Sequence, residues 1–261
     1  MNIKDNIKFA IAMLYGAVLK LTGSRYLCTV IYYHSITPAD VAGFAMQMKY
    51  LAQNCTVVRP SQIKKALSRN GKKCVAITID DAFENIIHKA LDVLKRYDLP
   101  AGIFVPVANL GDVPQWQFTQ DSPDRYEKVM TADQVAQLAD KGFEILSHTL
   151  SHPMLTQLED EMLSHELQMS RSVLEEITGQ PVKGMSYPHG DHDDRVCQAV
   201  ADADYAMAFT VEPEAVTHRT DNFRIGRFNV SPTDSLMKFK LKISGAYQVP
   251  KIFRKGAKKN N

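Results

Sequence analysis

The sequence is poor in the features that mark membrane-spanning, disulfide-stapled or nucleic-acid-binding chains. Its 261 residues carry 31 Lys and Arg against 29 Asp and Glu, a net charge of only +2. That gives no global field for holding nucleic acid, and no nucleic-acid partner is expected. The four cysteines, Cys28, Cys55, Cys74 and Cys197, show no CxxC pairing. Cys28 and Cys74 sit at the start of apolar strand-like runs, where a free thiol behaves as a small hydrophobe. A reducing compartment fits best. Long uncharged runs are missing too. The closest approach, within "NIKFAIAMLYGAVLKLTG", is the stretch Phe9 to Leu19, which is too short to span a bilayer, is ended by Lys20 and precedes no A-x-A-like cleavage site. Residues 1–24 therefore read as an amphipathic or peripheral helix, and the expected location is cytoplasmic, with a peripheral membrane contact open.

Hydrophobic residues make up 45% of the chain and charged residues 23%, an ordinary globular balance. The length suits one α/β barrel with a large core. Strand-like runs alternate with helical ones: "YLCTVIYYH" at 26–34, a helix at 41–54, "CTVVRP" at 55–60, a Ser-capped helix at 61–70, "KCVAITID", a helix at 84–97 and "AGIFVPV". A polar, Pro-bearing loop at 106–130 holds the one tryptophan, Trp116. Loops of that length in compact domains tend to be functional or mobile. A capped helix at "TADQVAQLADKG", a strand at "FEILSH", a long helix at 159–178 ending before Gly179, and further strands at "VKGMS" and "YAMAFTV" follow. The pattern predicts parallel strands covered by helices, a barrel or near-barrel over residues 25–231. Residues 232–261 form a basic helix and tail. From Lys238 onward come Lys240, Lys242, Lys251, Arg254, Lys255, Lys258 and Lys259 with no acid among them, a solvated tail or an attachment to anionic lipid headgroups.

In parallel α/β folds, chemistry collects at the C-terminal ends of strands. His34, the pair Asp80 and Asp81, His148 with His152, and Tyr187 to Gly190 all fall there. Singly each has a plain structural reading; one of the aspartates, for example, would cap the helix at 84–97. Together they can do more. Two imidazoles four residues apart and a carboxylate from another strand make a three-ligand metal site with open positions, and a second aspartate beside it is placed to act as a general base.

The motifs "TIDDAF", "HTLSH" and "YPHG", in that order, resemble the first three motifs of the polysaccharide deacetylase (NodB-homology) family, carbohydrate esterase family four. The resemblance extends over about residues 28–230, including "YYHSI" and "FRIGRFNV". It implies a distorted (β/α) barrel of about seven parallel strands, here with an extra N-terminal helix. It also implies a divalent metal, zinc first with cobalt or nickel as alternatives, and hydrolysis of the N-acetyl group of a sugar. By the resemblance, Asp81, His148 and His152 hold the metal and Asp80 is the general base. The backbone N–H of His189 would face the oxyanion, and Tyr187, Pro188, Gly190, Trp116 and Arg227 would contact substrate. The implied partner is an N-acetylated saccharide, and the terminal helix and basic tail fit a lipid-linked one.

Departures from the family pattern are equally informative. Ser186 stands where the third motif usually has arginine, Ala82 and Phe83 replace the more frequent Gly and Tyr, and the fourth motif is missing. The Leu-x-His of the fifth motif is missing as well; "AVTHRT" offers only His218 in a polar stretch. The acid that protonates the leaving amine is then His34 first and His189 second. His88, His165 and His192 read as surface residues. Arg227 either orients Asp80 in place of the missing arginine or packs the last strand, with packing slightly favoured. A non-catalytic saccharide-binding or scaffold protein that has lost the acid is the alternative.

Overall fold

The computed structural model describes residues 3–21, 27–67, 73–116, 118 and 122–248, with the backbone alone at 3–6, 17–21 and 123. The elements follow in the order α1 (Ile3–Leu21), β1 (Cys28–Tyr33), α2 (Val41–Asn54), β2 (Cys55–Val58), α3 (Ile63–Ala66), β3 (Lys73–Ile79), α4 (Ala90–Arg96) and β4 (Gly102–Val105). After the long loop come α5 (Ala132–Asp140), β5 (Glu144–Ser147), α6 (Asp160–Thr178), β6 (Gly184–Ser186), α7 (Asp194–Asp202), β7 (Met207–Phe209), β8 (Phe228–Asn229) and α8 (Leu236–Ile243).

Seven strands run β7-β6-β5-β4-β3-β1-β8, and β2 lies beside the first half of β3. Every pairing between named strands is parallel. The sheet curls until its edges meet: Phe209 bridges in parallel to Ile225, and the chain runs from Ile225 into β8, which pairs with β1. This is the distorted (β/α) barrel. Its strands are buried on both faces, as strands walled by side chains inside and helices outside must be. Cys28, Val30, Cys74, Ala76, Phe104, Leu146, Phe209 and Ile225 fill the interior. The alternate positions Ile31, Tyr33, Val75, Ile77, Ile79, Ile103 and Val105 pack against the helices. All four cysteines are free and buried, and Cys28 and Cys74, register partners on β1 and β3, bring their sulfurs within 2.7 Å.

Helix ends follow local chemistry. Thr131 and Gln134 form a capping box on α5, and α6 stops where Gly179 turns left-handed at φ 63°. The helix expected over 84–97 is shorter. Residues 84–86 make a 3₁₀ turn and α4 starts only at Ala90. Phe83 bridges Val129, and the Glu84 N–H donates to the Lys128 carbonyl at 2.7 Å, so the long loop holds this segment before it can wind. Neither Asp80 nor Asp81 caps it. The helix expected over 61–70 is reduced to Ile63–Ala66, with Ser61 donating to Glu144 instead of capping; residues 68–70 lie outside the described residues. So does the basic tail from 249 onward.

Helix α8 is moored by a buried charge cluster. Asp234 accepts from Lys242 Nζ at 2.5 Å, Lys238 Nζ at 2.7 Å and the Ser231 N–H at 3.1 Å. Burial pushes its carboxyl up, but the two lysines outweigh that and hold it below the usual range. A depressed carboxylate pKa lends stability that is complete above the unfolded value near 4 and is lost as the pH falls toward the folded value. Asp234→Asn should cost about 2–3 kcal/mol at neutral pH, since Lys242 is left buried without its countercharge. Chemical denaturation at pH 7 and again near pH 3 checks this. The gap between variant and parent should close in acid, and a pH-independent gap would assign the loss to packing alone.

Candidate functional site

Strand parity builds the site. Side chains alternate faces along a strand, so the inward set of β3 (Cys74, Ala76, Thr78) continues to Asp80, that of β5 (Leu146) to His148, and that of β1 (Val30, Tyr32) to His34. The apolar floor therefore gives way to titratable groups at one end of the barrel. After Asp80 the backbone turns sharply. Asp81 and Ala82 are both left-handed, at φ 65° and 46°, and this brings Asp81 toward the loop after β5. Ala82 is wholly buried in this conformation. Its replacement of the family's more frequent glycine thus keeps a backbone shape that a Cβ disfavours.

Asp81 Oδ1 lies 3.4 Å from His148 Nε2 and 3.6 Å from His152 Nε2. Donors about 2.1 Å from one tetrahedral ion sit about 3.4 Å apart, so both distances suit ligands of a single zinc ion. Asp81 Oδ1 is buried and accepts no hydrogen bond, an orphan that a cation would satisfy. Among the described residues these three form the one cluster of His, Cys, Asp or Glu suited to hold a metal ion. Burial would raise the Asp81 carboxyl, yet the neighbouring imidazoles, His148 first and then His34 and His152, hold it far below its usual value. Burial, with His148 adding to it, takes His152 down to about 2, so its imidazole is neutral and able to ligate.

The surroundings fix these side chains. His148 Nδ1 is 3.0 Å from the Ser186 carbonyl and 2.8 Å from its hydroxyl. With the Nδ1 proton donated there, Nε2 keeps its lone pair toward Asp81. The four-residue spacing of His148 and His152 lies in a loop, not on a helix: Thr149 and His152 are left-handed at φ 66° and 62°. Glu166 from α6 holds that loop, accepting from the N–H groups of Leu150 and Ser151 at 2.9 Å each and from the Ser151 hydroxyl at 2.5 Å.

Asp80 is gripped from the far side of the barrel. Arg227 donates from Nη1 to Oδ1 at 2.6 Å and from Nη2 to Oδ2 at 2.9 Å, a two-pronged pairing. Its Nε donates to the Thr210 carbonyl at 3.0 Å, and its guanidinium lies between the rings of Tyr32 and Phe104. Arg227 therefore compensates the charge of Asp80, and Asp81 is the aspartate whose charge is left for a cation to compensate.

A cavity of about 530 Å³ opens over this centre, lined by Asp80, Asp81, His148 and His152 and also by Tyr32, His34, Trp116, Phe118, Ser122, Asp124, Tyr187, His189 and Val211. Trp116 stacks beside His152 with ring centres 4.5 Å apart. Several substrate-contact expectations need correction. Arg227 is wholly buried and is not among the lining residues. Pro188 is buried and Gly190 forms the turn; neither lines the cavity. Gly190 sits at φ 74°, and a Cβ there would come within 2.3 Å of Val211 Cγ2, which is why glycine is needed. Tyr187 lines the cavity, but its hydroxyl donates away from it, to the Phe223 carbonyl at 2.9 Å. His189 is left-handed at φ 58°, with its ring 4.7 Å from that of His152. At the second position of a one-turn 3₁₀ helix its N–H has no carbonyl partner within the turn. His88, His165 and His218 are exposed, whereas His192 is half-buried and stacked on Tyr187.

The family model for polysaccharide deacetylases matches residues 68–208. The chain belongs to the polysaccharide deacetylase family. It is 27% identical over 212 residues to the protein YxkH of Bacillus subtilis, covering 78% of this chain and 71% of that one. It is 24% identical over 169 residues to the poly-β-1,6-N-acetyl-D-glucosamine N-deacetylase of Staphylococcus epidermidis, covering 61% of this chain and 55% of that one. The solved Streptococcus pyogenes deacetylase PplD, in complex with acetate, shares the fold at a TM-score of 0.71 and 20% identity, over 84% of this chain and 99% of that chain. Within this family's pattern the displaced arginine is accounted for. Ser186 fixes His148 from the third motif, and Arg227, from the segment that closes the barrel, meets Asp80.

Sequence reasoning missed Glu166, Tyr32, Phe118, Ser122, Asp124 and Val211. Only Glu166 left a signal: it falls on the inner face of α6 with Leu163, Leu167, Ser170 and Leu174, where an acid has no reason to sit without donors to receive.

Proposed function

We propose that this polysaccharide deacetylase hydrolyses the N-acetyl group of a sugar, using a divalent metal, with zinc the best fit to an Asp-His-His donor set. The observation that carries the reading is the buried, unpartnered Asp81 Oδ1 facing two imidazole Nε2 atoms, directly beside an aspartate locked in place by arginine. An ion held there would supply Lewis-acid activation of the amide carbonyl and of water. Asp80 takes the proton from the attacking water. The His189 N–H is a donor for the oxyanion of the tetrahedral adduct. When the C–N bond breaks, the amine needs a proton, and His34 at the cavity wall is the donor. Burial and His148 lower the His189 imidazole below its ordinary value, which makes it a poor cation near neutral pH. Trp116 and Phe118 offer apolar faces for a sugar ring.

Acetate release tests this directly. Protein stripped with chelator and reloaded with Zn²⁺, Co²⁺ or Ni²⁺ should free acetate and an equal amount of amine from N-acetylhexosamine oligosaccharides or their lipid-linked forms, and the stripped protein should not. Saccharide binding by calorimetry with no acetate under any of the three metals would replace hydrolysis with a binding or scaffold role.

A further inference from the structure

Helix α1 has two apolar faces, and the structure covers one. Ala12 is buried in a cluster with Phe9, Leu241, Ala246 and Tyr247, against α8. Gly16 approaches the same helix so closely that a Cβ would stand 3.1 Å from Leu241 Cδ2. At about 100° per residue, Ile7, Ile11 and Leu14 fall on the opposite side, where they are 55%, 60% and 73% exposed. Three large aliphatic side chains in one continuous stripe are not the scattered apolar exposure of an ordinary surface.

Charge indicates what covers the stripe. Lys8 is exposed on its flank, and Lys4 lies one turn earlier on the helix. Tyr247 packs into the α1–α8 cluster, so the chain leaves the described structure beside α1. The residues that follow, 249–261, carry Lys251, Arg254, Lys255, Lys258 and Lys259 and no acid. No helix among the described residues is long and apolar enough to cross a membrane. An apolar stripe flanked by lysines, on a helix too short in apolar length to span, is the arrangement of a helix that lies in the plane of a bilayer surface. The basic tail adds attraction to anionic headgroups. We propose that α1 seats this protein on an anionic lipid bilayer, with Ile7, Ile11 and Leu14 entering the headgroup boundary and Lys8 on their flank meeting the lipid charge. This proposal is independent of the acetyl-hydrolysis reading.

Sedimentation with lipid vesicles tests it on the full chain. The protein should pellet with vesicles of phosphatidylcholine mixed with phosphatidylglycerol, more weakly with phosphatidylcholine alone, and less as salt is raised. The double substitution Ile11→Glu and Leu14→Glu alters only exposed side chains; it should keep the parent's circular dichroism and bind the mixed vesicles on the order of a hundredfold more weakly, about tenfold for each aliphatic side chain removed. Asp80→Asn should pellet like the parent, which separates the surface from the chemistry. Failure to bind the mixed vesicles at low salt, or undiminished binding by the double variant, overturns the proposal. A solution dimer dissociated by the double variant, with no vesicle binding by the parent, overturns it in favour of a second copy as the occupant.

Discussion

Asp80→Asn should lower acetate release by about 10²–10⁴-fold while the bound metal stays at the parent level. The amide keeps the size of the side chain and one oxygen for Arg227 but cannot accept the proton of the attacking water. Metal content is the discriminating readout, because Asp80 contributes no atom to the Asp81, His148 and His152 cluster. The assay therefore pairs turnover with elemental analysis of the same preparation. Loss of metal in Asp80→Asn, together with full activity in Asp81→Asn, would exchange the roles assigned to the two aspartates.

The second large effect concerns Arg227. Arg227→Lys retains the charge but not the planar fork that meets both Asp80 oxygens. A base that loses its orientation by even a fraction of its former precision can cost about 10²-fold in rate. Since Arg227 does not line the cavity, the loss should fall on kcat and leave KM nearly unchanged. Arg227→Met goes further. It leaves a carboxylate only 3% exposed without its partner, and breaking such a pair costs about 3–5 kcal/mol of stability. Adding Asp80→Asn to Arg227→Met should restore most of that stability but none of the activity, because both charges are then gone. Equal rises in KM and falls in kcat for Arg227→Lys would instead return Arg227 to a substrate contact.

The legible parts of the site were those written within a few residues of each other. "TIDDAF" and "HTLSH" each carry their chemistry in consecutive positions at the end of an apolar run, so a meeting of one of the two aspartates with His148 and His152 could be expected before any coordinates, and the family resemblance singled out Asp81. The barrel was legible for a related reason: repeated short strands and helices leave few ways to bury both. What the residues hid was contact over distance. Arg227 and Asp80 are 147 positions apart, and nothing local in "FRIGRFNV" separates a packing arginine from a clamping one. The late start of α4 was hidden for the same cause, since the residues before it are tied by backbone bonds, Glu84 N–H to the Lys128 carbonyl and Met130 N–H to the Ala82 carbonyl, in a loop that periodicity cannot read. Glu166 was legible in principle as an acid on the wrong face of a helix, but its partners, the N–H groups of Leu150 and Ser151, are backbone atoms that no side-chain motif announces.

Arg227 belongs to the segment between Ile225 and β8 that joins the two edges of the sheet. The group that steadies Asp80 is thus delivered by the final stave of the barrel and emerges from the ribosome after every residue of the Asp81, His148 and His152 cluster. The pairing of Asp80 with Arg227 exists only once that segment has closed the barrel, so the proposed base is held in place from then on. Fold completion and the fixing of Asp80 are in this way the same molecular event.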